Sequence, residues 1–181
     1  MKIRLGLLAG VLLLVSSTAL PEIEKVAQQC GNGVCYAWWP KLAPAKGWHH
    51  EDGSSFANGT NVQVPDGFTF SNAETVIYAK ALYKPRSPEA TSLEVVIKDD
   101  RDEFLKEDSS IEIAKVPPLK TKDGKALETY TFFPKAKGNW EEVSYGEEGR
   151  FYLVFTISSR SHAEFLASLP VYEQYIAQYK E

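Results

Sequence analysis

Phe151-Tyr152-Leu153-Val154-Phe155-Thr156-Ile157 is apolar on both alternating sets of positions, followed by Ser158-Ser159. A strand with that pattern belongs in the middle of a sheet, buried on both faces. On its N-terminal side, Trp140 to Tyr145 alternates into Gly146-Glu147-Glu148-Gly149, which reads as the turn of a hairpin. On its C-terminal side, Ser161 and Glu164 have capping-box spacing, so a helix is expected to start there. Phe165, Leu166, Leu169, Tyr172, Ile176 and Tyr179 recur at three- and four-residue steps and so predict one apolar helix face. Burying that face contributes on the order of 10 kcal/mol before chain entropy is subtracted. Pro170 falls inside the pattern and is expected either to kink the helix or to open a second one after Ser168.

Further outward, Leu119 to Lys122, Asp123-Gly124 and Ala126 to Phe133 form the clearest hairpin signal, with Asp-Gly at the turn. Ile111, Ile113 and Lys115 predict a short strand ended by Pro117-Pro118. Ser87 before Pro88 predicts a helix start, and Leu93, Val96, Ile97, Phe104 and Leu105 give that helix an apolar stripe. The run Asp99-Asp100-Arg101-Asp102-Glu103 is a solvated helix face; a calcium loop would space its carboxylates alternately and insert a glycine. Thr75 to Tyr83 favours a strand by its β-branched and aromatic content, and Val62 and Val64 begin a short one that stops at Pro65-Asp66-Gly67.

The N-terminus has the order of a secretory signal: Lys2 and Arg4, then apolar Leu5 to Val15, then Ser17 and Ala19 at small-x-small spacing. Residues 1–19 are therefore expected to be a signal peptide, with the mature chain starting near Leu20. The apolar run is shorter than the ~20 residues of a spanning helix, and Cys30 stands too far on for a lipoprotein signal. The protein is accordingly expected outside the cytoplasm, periplasmic or secreted, with no membrane span after processing. The whole chain has 20 Lys+Arg against 24 Asp+Glu; without Lys2 and Arg4 it has 18 against 24, a net charge of −6. That balance argues against a nucleic-acid or anionic-membrane surface.

Cys30 and Cys35 are the only cysteines and flank Gly31-Asn32-Gly33-Val34. In an oxidising compartment they predict a local disulfide. Redox catalysis is disfavoured, since thiol oxidoreductases place two residues between their cysteines and here there are four. Glu22 to Gln29 is expected to be a short helix or an arm. Tyr36, Trp38 and Trp39 follow the second cysteine, and Trp48 comes soon after. Pro40 and Pro44 exclude regular helix there, so residues 20–50 read as an irregular segment placed before a single domain at 51–181. Large aromatics usually pin such a segment to the core. Their alternative role is a binding platform, for which Trp48 buried and one of Trp38 or Trp39 partly exposed is the expected arrangement. His49-His50-Glu51-Asp52 is the densest set of possible metal ligands. On a strand the two histidines face opposite ways, so a solvated turn is preferred and no metal or cofactor is expected. Asp52-Gly53-Ser54-Ser55 and Asn58-Gly59 read as turns, and Asn58-Gly59-Thr60 is also a glycosylation acceptor pattern.

Helices separated by a run of strands can cover opposite sheet faces. The expected fold is thus α+β, an antiparallel sheet with helices on both faces in an α/β/α sandwich. The end pattern (strand Phe151 to Ile157, Ser158-Ser159-Arg160-Ser161, Phe165-Leu166 to Leu169-Pro170, closing Tyr179) resembles the PsbP-like sandwich domains, over the region from Val62 onward. That resemblance implies a non-catalytic, partner-binding domain and carries over no site residue. The sequence has no Gly-x-Ser-x-Gly elbow, His-Glu-x-x-His, phosphate loop or dinucleotide fingerprint. The expected function is an exported, non-catalytic interaction or accessory domain with an unknown protein partner. The alternative is a small-ligand, carbohydrate or peptide module using Tyr36, Trp38, Trp39 and Trp48.

Overall fold

The computed structural model describes residues 23–180; the expected signal peptide and cleavage site lie outside them. Nine strands and three helices follow in the order β1 (Ile23–Cys30), β2 (Gly33–Pro40), β3 (Trp48–His50), α1 (Asp52–Asn58), β4 (Asn61–Pro65), β5 (Thr75–Tyr83), α2 (Leu93–Glu107), β6 (Glu112–Lys120), β7 (Ala126–Phe133), β8 (Trp140–Glu148), β9 (Phe151–Ser159) and α3 (His162–Ile176). The fold is α+β. Seven strands form one antiparallel sheet, ordered β3-β4-β5-β9-β8-β7-β6, and β1 pairs with β2 in a separate hairpin.

β9 lies at the centre, paired with β5 over its whole length on one side and with β8 on the other. Its alternation separates two cores, because successive strand residues face opposite ways. Leu153, Phe155 and Ile157 join Ile77, Ala79 and Ala81 of β5 and Phe165, Tyr172, Tyr175 and Ile176 of α3. Tyr152 and Val154 join Tyr130, Phe132, Val143 and Tyr145 with Val96 and Ile97 of α2. The buried Tyr172 hydroxyl donates to the Phe155 carbonyl at 2.8 Å and lies 3.1 Å from Ser144 Oγ, which ties α3 to the sheet. Gly146 leaves room for Leu127: a Cβ there would stand 2.5 Å from Leu127 Cδ2.

Several local expectations change. Residues 23–30 form a strand, not a helix or arm, and residues 33–40 are its partner rather than irregular chain. Pairing across a two-residue connection at Gly31 (φ 56°) and Asn32 supplies the backbone bonds, and Pro40 simply ends the strand. Trp48 to His50 pair with β4, so they are a strand of the sheet. Residues 52–58 are a helix, not a turn. Ser55 anchors it: its Oγ donates to the Glu51 carbonyl and accepts the Val62 N–H at 2.9 Å. α2 starts five residues later than the Ser87-Pro88 signal suggests. Lys84 to Arg86 make a 3-10 turn, and Ser92 is the N-cap, its Oγ accepting from the Val95 N–H.

β6 runs through Pro117-Pro118 with a register shift between Val116 and Leu119. As the outermost strand it can lose N–H donors on its open side. β8 extends to Glu148, which leaves Gly149 (φ 50°) and Arg150 as the tight turn. Pro170 interrupts nothing: α3 is continuous and the proline is exposed. Half of the capping box forms, with Ser161 Oγ accepting from the Glu164 N–H. Leu166 stands 52 % exposed, while Tyr175, absent from the expected face, is fully buried.

Candidate functional site

The hairpin β1–β2 is held at its tip by the Cys30–Cys35 disulfide, whose Cα atoms are 5.8 Å apart. β2 packs across β5, where Ala79 and Ala81 are small enough to admit another strand. The Pro40 carbonyl accepts from Asn61 Nδ2 at 3.0 Å, fixing the end of β2 to β4. Ala37 sits against Gly59, where a Cβ would lie 3.2 Å from the Ala37 Cβ. Gly59 is also the left-handed end of α1 (φ 65°), so glycine answers both demands.

Strand alternation then separates the tryptophans. Trp39 is buried (3 % exposed), edge-on to His50 and Phe56. Trp38 faces the opposite way and stacks on Tyr83 with ring centroids 4.9 Å apart; Phe151 lies 6.5 Å from Trp38 and 5.3 Å from Tyr83. Tyr36 shares the Trp38 side of the hairpin and is exposed. Trp48 is half-buried against the α3-side core and makes none of these ring contacts. The expected arrangement is therefore reversed in one respect: Trp39, not Trp48, is the fully buried ring. Of the four expected aromatics, the fold brings Tyr36 and Trp38 together and sends Trp39 and Trp48 elsewhere.

Three cations cover this aromatic group. Lys25 Nζ lies 3.9 Å from the Tyr36 ring centre, and Arg86 lies 5.9 Å from Tyr36 and 5.2 Å from Trp38. Arg150 lies 5.0 Å from Tyr83. All three are exposed, and among the described residues none is paired with a carboxylate. Lys84, next in sequence to Tyr83, is instead engaged by Glu147 and the Gly149 carbonyl. Each cation–ring contact contributes about 0.5–1 kcal/mol at an exposed site. A guanidinium lying over a ring keeps its edge N–H groups outward, in the geometry that pairs with a carboxylate.

No protein-family model matches this chain. No curated protein matches it either.

The patch draws on four separate segments, which is why Lys25, Tyr83, Arg86, Arg150 and Phe151 escaped notice in the sequence. The one local clue is the aromatic–basic pairing at two strand ends, Tyr83-Lys84-Pro85-Arg86 and Arg150-Phe151. The register opposes Tyr83 to Phe151, and that brings the two ends together.

The histidines do separate work. His49 Nδ1 is 3.5 Å from Asp66, and His50 Nδ1 is 3.0 Å from Asp52, with His50 Nε2 at 2.9 Å from Ser55 Oγ. Among the described residues no three His, Cys, Asp or Glu side chains gather as metal ligands. No described helix is long and apolar enough to cross a membrane.

Proposed function

We propose that this is an exported, non-catalytic interaction domain that uses the Tyr36/Trp38/Tyr83/Phe151 patch to hold an acidic surface of a protein partner. The observation behind this reading is the convergence of Lys25, Arg86 and Arg150 on one aromatic group, with no carboxylate partner among the described residues, in a chain whose net charge is −4. Aromatic and arginine side chains are what protein interfaces favour at their centres. The patch offers ring faces and fixed donors rather than a nucleophile beside a base, which suits binding and not turnover. The disulfide and the basic–apolar–small order of residues 1–19 support an exported location, periplasmic or secreted.

The test is a comparison of partners cross-linked to the mature protein in its native envelope. Wild type and the Lys25→Ala/Arg86→Ala/Arg150→Ala variant are run in parallel at low and high salt. The expected result is a partner recovered by wild type, lost by the variant and weakened by salt. Equal recovery by both proteins at both salt concentrations refutes the reading.

A further inference from the structure

On the α2 side of the sheet, α2 covers β7 and β8 but leaves an open cleft toward α1. One lobe, of about 270 Å³, has Val62, Val76 and Tyr78 as its apolar wall and Glu141 and Ser158 at its polar end. A second lobe, of about 250 Å³, shares Tyr78 and Glu141 and continues under α2 past Lys80, Asp100 and Glu103. Glu141 is the unusual member. It is the second residue of β8 and is 8 % exposed, with its Oε1 accepting the Ser158 hydroxyl at 2.8 Å. Among the described residues no Lys, Arg or His forms an ion pair with it. A buried carboxylate without a counter-ion is costly, and a neutral side chain of the same size would be more stable there. Its place at a cavity wall, with ring and methyl groups beside it, matches a site whose cation arrives with the ligand.

We propose that this cleft binds a small organic cation, an amine with an apolar body, whose ammonium group pairs with the Glu141 carboxylate and whose body lies along Val62, Val76 and Tyr78. Burial, reinforced by Asp100 and Glu107, holds the Glu141 carboxyl up at about 7, against the lowering effect of hydrogen bonds from Ser158 and Asn139. Binding a cation stabilises the ionised form, so affinity rises with pH across that value. The other charged groups around Glu141 are Lys80 of β5 and Asp100, Glu103 and Glu107 of α2 in the second lobe, with Asp108 and Lys137 lining an adjoining hollow that shares Glu141. Three acids against one base make the second lobe hostile to anions and favourable to an ammonium group. This site lies apart from the proposed partner-binding patch and does not depend on it.

The mature protein is titrated with phenethylamine, and with phenethyl alcohol and phenylacetate as its neutral and anionic counterparts, by calorimetry and by amide-resolved NMR at pH 8.5 and 5.5. Phenethylamine is expected to bind at pH 8.5, with shifts at Asn139, Glu141 and Ser158, and to weaken roughly 30-fold at pH 5.5 as Glu141 takes up a proton. Glu141→Gln is expected to lose at least about tenfold in affinity at pH 8.5. Its melting temperature, measured in parallel, shows that the fold is intact. The pH comparison on wild type needs no variant. Phenethylamine failing to bind, binding no better than the alcohol or the acid, binding equally at both pH values, or binding undiminished to Glu141→Gln would each overturn the proposal. So would shifts at Trp38 and Tyr83 in place of the cleft.

Discussion

Glu142→Gln should stabilise this protein by an amount that grows as pH rises from 4.5 to 7 and then levels off. Glu142 is the neighbour of Glu141 on β8 and so faces the opposite side of the sheet. It is 8 % exposed, and burial, with Glu173 of α3 adding like-charge repulsion, raises its carboxyl to about 7. The unfolded chain keeps the ordinary value of 4.5. A folded-state value above the unfolded one means that the native protein holds the proton more tightly. That stability is fully present below pH 4.5 and is lost as pH rises from there through 7. A difference of about 2.5 units corresponds to on the order of 3 kcal/mol, an upper bound if water reaches the carboxyl. Glutamine resembles the protonated acid in shape and cannot ionise. Its variant should therefore match wild type at pH 4.5 and exceed it by about 1–3 kcal/mol at pH 8.5. Urea unfolding of both proteins at the two pH values, with the disulfide intact, measures the difference. A gain of the same size at both pH values, or a loss at pH 8.5, refutes the linkage argument.

Trp39→Ala should cost roughly 3–5 kcal/mol because it removes a buried ring packed on His50 and Phe56; Trp38→Ala should cost less, and thermal melts of the two variants rank them. Gly146→Ala forces a methyl to 2.5 Å from the buried Leu127, and a loss of about 1–3 kcal/mol in urea unfolding is expected. Replacing both cysteines by serine should cost about 2 kcal/mol at most, since the closed loop is short. Alkylation mass spectrometry without reductant should label neither Cys30 nor Cys35 of the unmodified protein.

The sequence by itself determined the centre of the fold, because the signals there are local. Ala126 to Phe133 after Asp123-Gly124, and Phe151 to Ile157 before Ser161, combine strand patterning, turn residues and a helix cap within a few positions, although β9 runs two residues further, to Ser159. The Cys30–Cys35 bond was equally legible, since two cysteines around a glycine-rich loop leave one local pairing. Other features depended on distant partners. Pro117-Pro118 stay in β6 because β6 is an edge, and a residue's place in the strand order is not written beside it. Tyr36 and Trp38 were visible as aromatics. Their union with Tyr83, Arg86, Arg150 and Phe151 required the hairpin to lie across β5 and the β5–β9 register to oppose Tyr83 to Phe151. Glu141 and Glu142 look like surface acids in Trp-Glu-Glu-Val. Only the assembled sheet and the cores packed against it take both carboxyls out of water, and desolvation is a property of the tertiary structure, not of any local run of residues.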